Sequence, residues 1–343
     1  MNQPQVWRED DKQESIMYIV TGGAGLIGSA TVWKLNREGI TDILVVDHLG
    51  NTTDKWKNLV PLRYSDYMER DEFFDRLSSG YFDNIKLDGV FHLGACSATT
   101  ERDATYLVKN NFRMTVTLAE YCIARRVRMV YASSCATYGD GSLGYKDDES
   151  EIEKLRPMNM YGYSKQMFDL YARQRGYFQY ITGCKFSNIY GPNERHKGDM
   201  RSVVMRCYEQ ISAEGKMRLF KSYKKEYANG ESLRDFLYVK DAVDMVYFLF
   251  RHPQGTGLYN IGSGKAETWN KLAKSAFDAL DKPCNIEYID MPEHLRDRYQ
   301  YYTCAEMDKL RSLGYDREPM TLEEAVRDYI CNYMVPGKYL GDE

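Results

Sequence analysis

Apolar runs of strand length alternate with longer amphipathic stretches through the first half of this 343-residue chain. Ile19, Val20 and Thr21 read as a buried strand, Gly22 to Gly25 as a tight turn, and the segment from Leu26 as the entry to a helix that occupies about residues 29–38. A second apolar run, ILVVD, ends at Asp47. A third, from Val90 to Leu93, opens into a loop of small residues, and a fourth, RMVYASS, ends in hydroxyls. A helix is predicted over about residues 103–125, carrying Asn110 and Asn111, and another in MNMYGYSKQMFDLYARQ. Strands that read as continuous apolar runs, separated by helices, predict a parallel sheet covered on both faces. The expected class is α/β, a Rossmann-type doubly wound parallel sheet. His92 lies inside the third run and reads as a core histidine rather than a ligand.

From Asn188 onward the loops become charged and the alternation loosens, which predicts a second, smaller C-terminal α/β unit. The expected division is 17–187 with about 233–263 for the first domain, and 188–232 with about 264–335 for the second. Residues 1–16 are polar and aperiodic, so they read as a disordered extension with Met17 as a candidate start. An exposed insertion is expected around Lys224 to Glu231, before the chain returns to the core at Phe236 to Val239.

A net charge of −4, with Lys and Arg interspersed among Asp and Glu, gives no basic stripe for a nucleic acid. The eight cysteines are scattered without C-x-x-C or Cys/His ligand spacing, so they read as reduced thiols and no metal is expected. No signal-peptide pattern or membrane-length apolar run occurs, and a cytoplasmic protein is the expectation.

Chemistry concentrates where the predicted strands end. In TGGAGLIG the glycines let backbone N–H groups approach a pyrophosphate, and the following helix N-terminus adds partial positive charge. Asp47 closes the second strand, where a carboxylate would meet an adenosine ribose; Lys55, Lys57, Arg63 and Arg70 could instead receive a 2′-phosphate, so the residues alone leave NAD and NADP open. Ser133, Ser134 and Thr137 end the fourth strand and are candidates for substrate contact. Tyr161 and Lys165, four residues apart, share one helix face. An ammonium there, with a nicotinamide cation, would favour the phenolate and lower the tyrosine pKa from about 10.

Together, TGGAGLIG, Asp47, the SS-x-x-x-YG segment at 133–139, Tyr161 with Lys165, and NIYGP at 188–192 resemble the extended short-chain dehydrogenase/reductase family over almost all of residues 17–335. The resemblance implies a dinucleotide-binding first domain and a substrate-binding second domain. It makes Tyr161 the acid/base, Lys165 its electrostatic partner and ribose ligand, and Ser134 the hydroxyl that orients the reacting oxygen. Tyr163 is the competing phenol, and spacing to Lys165 favours Tyr161. Arg234, in an R-D-F segment, would bind diphosphate.

FH-x-GACS-x-TTE, YASS-x-ATYG, GP-x-x-x-HKG-x-M and RYQ resemble more closely those members of the family that invert C6 of an ADP-linked heptose for lipopolysaccharide core precursors. That resemblance implies transient oxidation to a ketone by a bound NADP, with NAD as the alternative, and makes Lys197 a second acid/base opposite Tyr161, His196 being a neighbour. Cofactor positions would be Gly22, Gly25, Leu26, Ile27, Gly28, Asp47, His48, Lys55, Arg70, Leu93, Gly94, Ala95, Cys96, Ser97, Asn110, Lys165 and Ile189. Substrate positions would be Asn188, Asp199, Arg206, Phe220, Lys221, Ser222, Tyr223, Arg234 and Tyr299. A homopentamer is also implied. Four positions depart from the pattern: His48 for Asn, Leu93 for Glu, Asp199 for Ser and Arg206 for His. The last two either pair with each other and preserve the pocket, or shift its preference. A UDP-sugar 4-epimerase shares the catalytic trio and is the alternative enzyme; a 4,6-dehydratase is disfavoured because SSCATYG lacks an Asp-Glu pair. The non-enzymatic alternative is a nicotinamide-sensing binding protein.

Overall fold

A computed structural model describes residues 17–51, 54–296 and 299–342. The extension expected over 1–16 lies outside them. The strands are β1 Met17–Thr21, β2 Ile43–Asp47, β3 Asp66–Glu69, β4 Leu87–His92, β5 Arg128–Ser134, β6 Ile181–Phe186, β7 Asn188–Tyr190, β8 Met217–Phe220, β9 Leu233–Tyr238, β10 Gly257–Ile261, β11 Ala266–Thr268 and β12 Ile286–Ile289. The α-helices are α1 Leu26–Arg37, α2 Arg70–Ser78, α3 Ala104–Leu107, α4 Met114–Arg125, α5 Met160–Gln174, α6 Val203–Glu214, α7 Val239–Arg251, α8 Trp269–Ala279, α9 Glu293–Arg296, α10 Asp308–Ser312 and α11 Leu322–Tyr329.

Seven strands form one sheet in the order β10-β6-β5-β4-β1-β2-β3, and every pairing in it is parallel. The expected doubly wound sheet is therefore observed. All residues of β2, β6 and β10 are buried, which is why their sequences show no polar alternation. The chain runs outward from β1 to β3, then returns to place β4 on the other side of β1, so strand order reverses at β1. The carboxyl ends of β1 and β4 border the crevice this reversal creates.

Two apolar layers cover the sheet. One joins Val20, Val45, Phe91 and Val130 to α1 and α7, and the other joins Ile19, Leu44, Val90 and Met129 to α2, α4 and α5. A third core gathers α6, α8, α11, β8 and β12 around Cys207, Leu219, Leu272, Phe277 and Ile330. The segment 305–315 packs against the sheet through Ala305, Met307, Leu310 and Tyr315, although it lies within the second sequence division. Smaller sheets, β11-β9-β7 and β12-β8, bridge toward the third core. Among the described residues no helix is long and apolar enough to cross a membrane.

Two element boundaries differ from expectation. Helix α1 begins at Leu26, because Gly25 in extended conformation is its N-cap. The helix expected over 103–125 runs from Ala104 to Arg125, but its α geometry is interrupted by a π turn at Val108–Arg113. That extra residue in the turn buries Asn110 and Asn111 side by side, next to the functional cleft, as π turns commonly do.

Candidate active site

The phosphate-binding turn follows from what a side chain would collide with. Gly22 has a positive φ of 68°, and a Cβ there would lie 2.6 Å from Gly94 Cα; one at Gly28 would lie 1.9 Å from the Gly22 carbonyl oxygen. The close approach of β1, the β4 exit loop and α1 thus requires glycine. Helix α1 has no acidic residue in its first turn and no side-chain cap, which leaves its first N–H groups for an anion. These groups open onto a cavity of about 1370 Å³ along the sheet's carboxyl edge. A single small-ligand site holds roughly 300–1,000 Å³, so this cleft has room for a dinucleotide and a second ligand. Every position assigned above to the cofactor lines it.

At the far side of β2, Asp47 is 6% exposed and already engaged. Its carboxylate accepts the backbone N–H of Ala24 at 2.8 Å and of His48 at 2.6 Å, and it pairs with the Lys55 ammonium. Arg70 holds Asp71 with two nitrogens and donates to Asn110 Oδ1 at 2.9 Å. Asn111 then clamps the small-residue loop, accepting from Cys96 N and donating to the Cys96 carbonyl, both at 2.9 Å, and donating to Ser164 Oγ at 3.0 Å. The π turn therefore fixes the loop from Leu93 to Ser97 and ties it to α5.

Ser134, Tyr161 and Lys165 meet where α5 crosses the end of β5. Gly162 permits the crossing, since a Cβ there would lie 2.8 Å from the Ala136 carbonyl oxygen. Tyr161 is hydrogen-bonded to Ser134, and burial raises its phenol above the ordinary value while that bond works in the opposite direction. Burial lowers Lys165 to about 8, with Asp169 opposing the change, and its ammonium donates to the Ala132 carbonyl at 2.9 Å. Tyr163, by contrast, is 46% exposed and does not line the cavity.

The neighbouring hydroxyls have other duties. Ser133 donates to Asp169 at 2.7 Å, and Thr137 accepts from Lys185 at 2.6 Å while donating to the Ser134 carbonyl at 2.7 Å. Both brace the strand end; Thr137 stands outside the cavity lining, whereas Ser133 remains part of it. His92 is a core histidine as expected. Its ring nitrogens bond to Thr21 at 2.7 Å and Thr115 at 2.9 Å, and burial lowers it to about 3.

The 3-10 turn Arg195–Met200 also reaches the cavity, through His196 and Lys197. Burial lowers Lys197, and the Glu194 charge opposes that effect. His196 is lowered to about 4, by burial first and then by Lys55 and Lys197, and its Nδ1 lies 3.2 Å from Asn58 Nδ2. All eight cysteines are free, and the described residues contain no cluster of three or more metal-ligating side chains.

Of the substrate positions, Asn188 lines the cavity and donates to the Asp235 carbonyl at 3.0 Å. Asp199, Arg206, Phe220, Lys221, Ser222, Tyr223, Arg234 and Tyr299 stand outside its lining. Arg206 does engage Asp199, but through the main-chain carbonyl and not the carboxylate. Tyr223 donates to Asp290 at 3.2 Å, on the exposed side of the strap that follows β8. Arg234 is 7% exposed and stacks between Tyr299, at 5.2 Å, and Trp269, at 5.7 Å. The wall on this side comes instead from Phe236 and Gln300, which stood in the R-D-F and RYQ segments without a site role, and from Trp269, Leu272, Thr303 and Cys304, which were not singled out from the sequence. A Trp opening a helix after GLYNIGSGKAET was the available signal.

Residues 18–262 match the NAD dependent epimerase/dehydratase family. The chain belongs to that family. It is 54% identical over 318 residues, 93% of this chain and 98% of the other, to a protein of Nitratidesulfovibrio vulgaris strain DP4 named ADP-L-glycero-D-manno-heptose-6-epimerase. The ADP-L-glycero-D-manno-heptose-6-epimerase of Helicobacter pylori has the same fold, with a TM-score of 0.76 at 24% identity, covering 94% of this chain and 97% of that one. A UDP-N-acetylglucosamine 4-epimerase of Methanobrevibacter ruminantium M1 matches with a TM-score of 0.77 at 21% identity, covering 94% and 99%. Backbone similarity thus extends to proteins titled 4- and 6-epimerases alike, and it shows the fold.

Proposed function

We propose that this chain is an ADP-L-glycero-D-manno-heptose-6-epimerase, which inverts C6 of ADP-D-glycero-β-D-manno-heptose in the cytoplasm to supply lipopolysaccharide core synthesis. The observation that carries the reading is that Tyr161 on α5 and Lys197 on the Arg195–Met200 turn reach one cavity from separate elements, in a chain 54% identical to a relative of that name. An inverted carbinol points its hydroxyl to the other side, so one fixed acid/base cannot serve both epimers.

A nicotinamide cofactor supplies hydride acceptance from C6 and hydride return to its opposite face. Tyr161, held by Ser134, takes the hydroxyl proton of one epimer as its C6–O becomes a ketone. Lys197 gives a proton to the oxygen of the other epimer as the ketone is reduced, and the two exchange roles in reverse. Lys165 would hold the cofactor's ribose hydroxyls. The glycine cradle and the anion-ready start of α1 suit the pyrophosphate. NADP is the preferred form, because Asp47 already accepts two backbone N–H groups and pairs with Lys55, while Arg70, which also holds Asp71, and His48, which pairs with Glu69, line the cavity beside it. A homopentamer, read by light scattering, is part of the proposal.

The test incubates purified protein with ADP-D-glycero-D-manno-heptose, without added reductant, and follows epimer composition by NMR beside UDP-galactose. The L-glycero epimer is expected to form, and Tyr161→Phe to lower turnover by about 10²–10⁴, the scale of acid/base catalysis, with folding intact. No conversion even with NADP and NAD supplied would overturn the assignment.

A further inference from the structure

We infer that Glu194 is a positioning residue for Lys197: its carboxylate closes the turn that carries the lysine and supplies the negative charge that faces it. The inference rests on the reading of Lys197 as the second acid/base.

The turn needs an anchor. Arg195–Met200 is a short 3-10 segment broken at Gly198 (φ 53°, ψ −125°), and its residues are half-buried or exposed, none fully buried. Packing of its own element therefore does not by itself fix Lys197. Glu194, immediately before it, is fully buried. Its Oε2 accepts the Ser202 backbone N–H at 2.6 Å and its Oε1 accepts the Ser202 hydroxyl, also at 2.6 Å; the Gly191 N–H approaches Oε1 at 3.5 Å. Gly191 follows β7, and Ser202 is the N-cap of α6, its hydroxyl oxygen accepting the Met205 N–H at 3.2 Å. One carboxylate thus joins the two ends of the loop, and the Glu194 carbonyl accepts the Lys197 N–H at 3.0 Å inside it.

The surrounding charges leave Glu194 as the partner. Tyr190 on β7 and Tyr329 on α11 both face it, and burial raises both phenols well above the ordinary value, so they stay neutral. Tyr329 also hydrogen-bonds to it. Arg195 points away, donating to the Tyr333 and Gly337 carbonyls at 3.1 and 3.3 Å. On the other side Lys197 faces His196, which stays neutral above about pH 4, and Lys55 acts on that histidine. Burial lowers Lys197, and Glu194 is the charge that opposes the loss. A buried carboxylate with no ammonium in direct contact is costly unless hydrogen-bonded, and Ser202 meets that need.

The test separates charge from shape. Lysines of the wild type, Glu194→Gln and Glu194→Asp are reductively methylated with ¹³C, the Lys197 resonance is assigned by its loss in Lys197→Arg, and each is titrated by NMR beside a pH profile of epimerisation. Gln keeps an acceptor for the Ser202 N–H and removes the charge, so Lys197 should titrate about one pH unit or more lower, the scale for losing a nearby opposite charge, and its limb of the rate profile should move the same way. Asp keeps the charge one methylene farther back and should fall between; if Gln did not fold, Asp alone must still titrate below the wild type. Identical Lys197 titration in wild type and variant would overturn the inference whatever the activity. A shifted Lys197 in an enzyme that Lys197→Met leaves fully active on both epimers would support the positioning and overturn the acid/base reading instead.

Discussion

Replacing Lys185 by methionine tests what holds the catalytic strand end in place. Lys185 is 1% exposed and Asp169 fully buried, and their charges lie 2.9 Å apart. Asp169 also accepts from Tyr131 at 2.9 Å and Ser133 at 2.7 Å, both on β5, while Lys185 on β6 donates to Thr137 beyond it. Asp169 sits on α5, eight residues after Tyr161 and four after Lys165, so the network pins the catalytic stripe of the helix to the strand that presents Ser134. Removing one member of a buried pair leaves an uncompensated charge and costs about 3–5 kcal/mol, whereas removing both charges returns much of that. Urea unfolding followed by circular dichroism should show Lys185→Met and Asp169→Asn each losing about that amount, with the double variant falling short of the sum by about 0.5–3 kcal/mol. Asp169→Asn should also move Lys165 further below about 8, since Asp169 is the charge that opposes its lowering. A cost under about 1 kcal/mol for Lys185→Met, or strict additivity, would refute the reasoning.

Two other predictions follow from burial. His92 is held neutral with its pKa lowered to about 3 from 6.5, so the unfolded chain binds a proton that the native one does not between those values. Stability from this site is complete above pH 6.5 and falls as pH drops toward 3; at about 1.4 kcal/mol per pH unit, the wild type should lose about 2 kcal/mol more than His92→Gln between pH 7 and 5, as read by urea titration. Leu340 is fully buried against Leu26, Ala30, Val239 and Val243, and its N–H donates to Asn193 Oδ1 at 3.0 Å. Leu340→Ala should cost about 2 kcal/mol or more, and hydrogen exchange should speed up over 338–342 and α1 together; acceleration in the tail alone would deny the coupling.

What could be read from the chain was local. The strand, glycine turn and helix at 17–37, the carboxylate closing β2, and the phenol and amine on α5 each follow from spacing within one element, and one face of a helix or one strand end defines them. The missed parts join residues distant in sequence. Asn111 clamps Cys96 and Ser164, Glu194 closes a loop onto Ser202, and the substrate wall draws on β9, α8 and the segment after 299. Asp199 and Arg206 looked like an exchanged pair, yet both are exposed, one on the turn and one on α6, and the guanidinium goes to a main-chain carbonyl.

One of these gaps was closable with the physics already in use. The four-residue step from Tyr161 to Lys165 continues to Asp169, so the same periodicity places an acid one turn further along the buried stripe. In ITGCKF, a run otherwise apolar or small, Lys185 stands where both faces of the strand are covered. A buried ammonium demands a partner, and a buried carboxylate demands one as strongly. Each residue alone suggests a solvated charge; together, on elements that a parallel sheet must stack, they require each other. Charges inside segments whose pattern predicts full burial therefore carry contact information that hydrophobic periodicity lacks, and here they locate the support beneath Ser134.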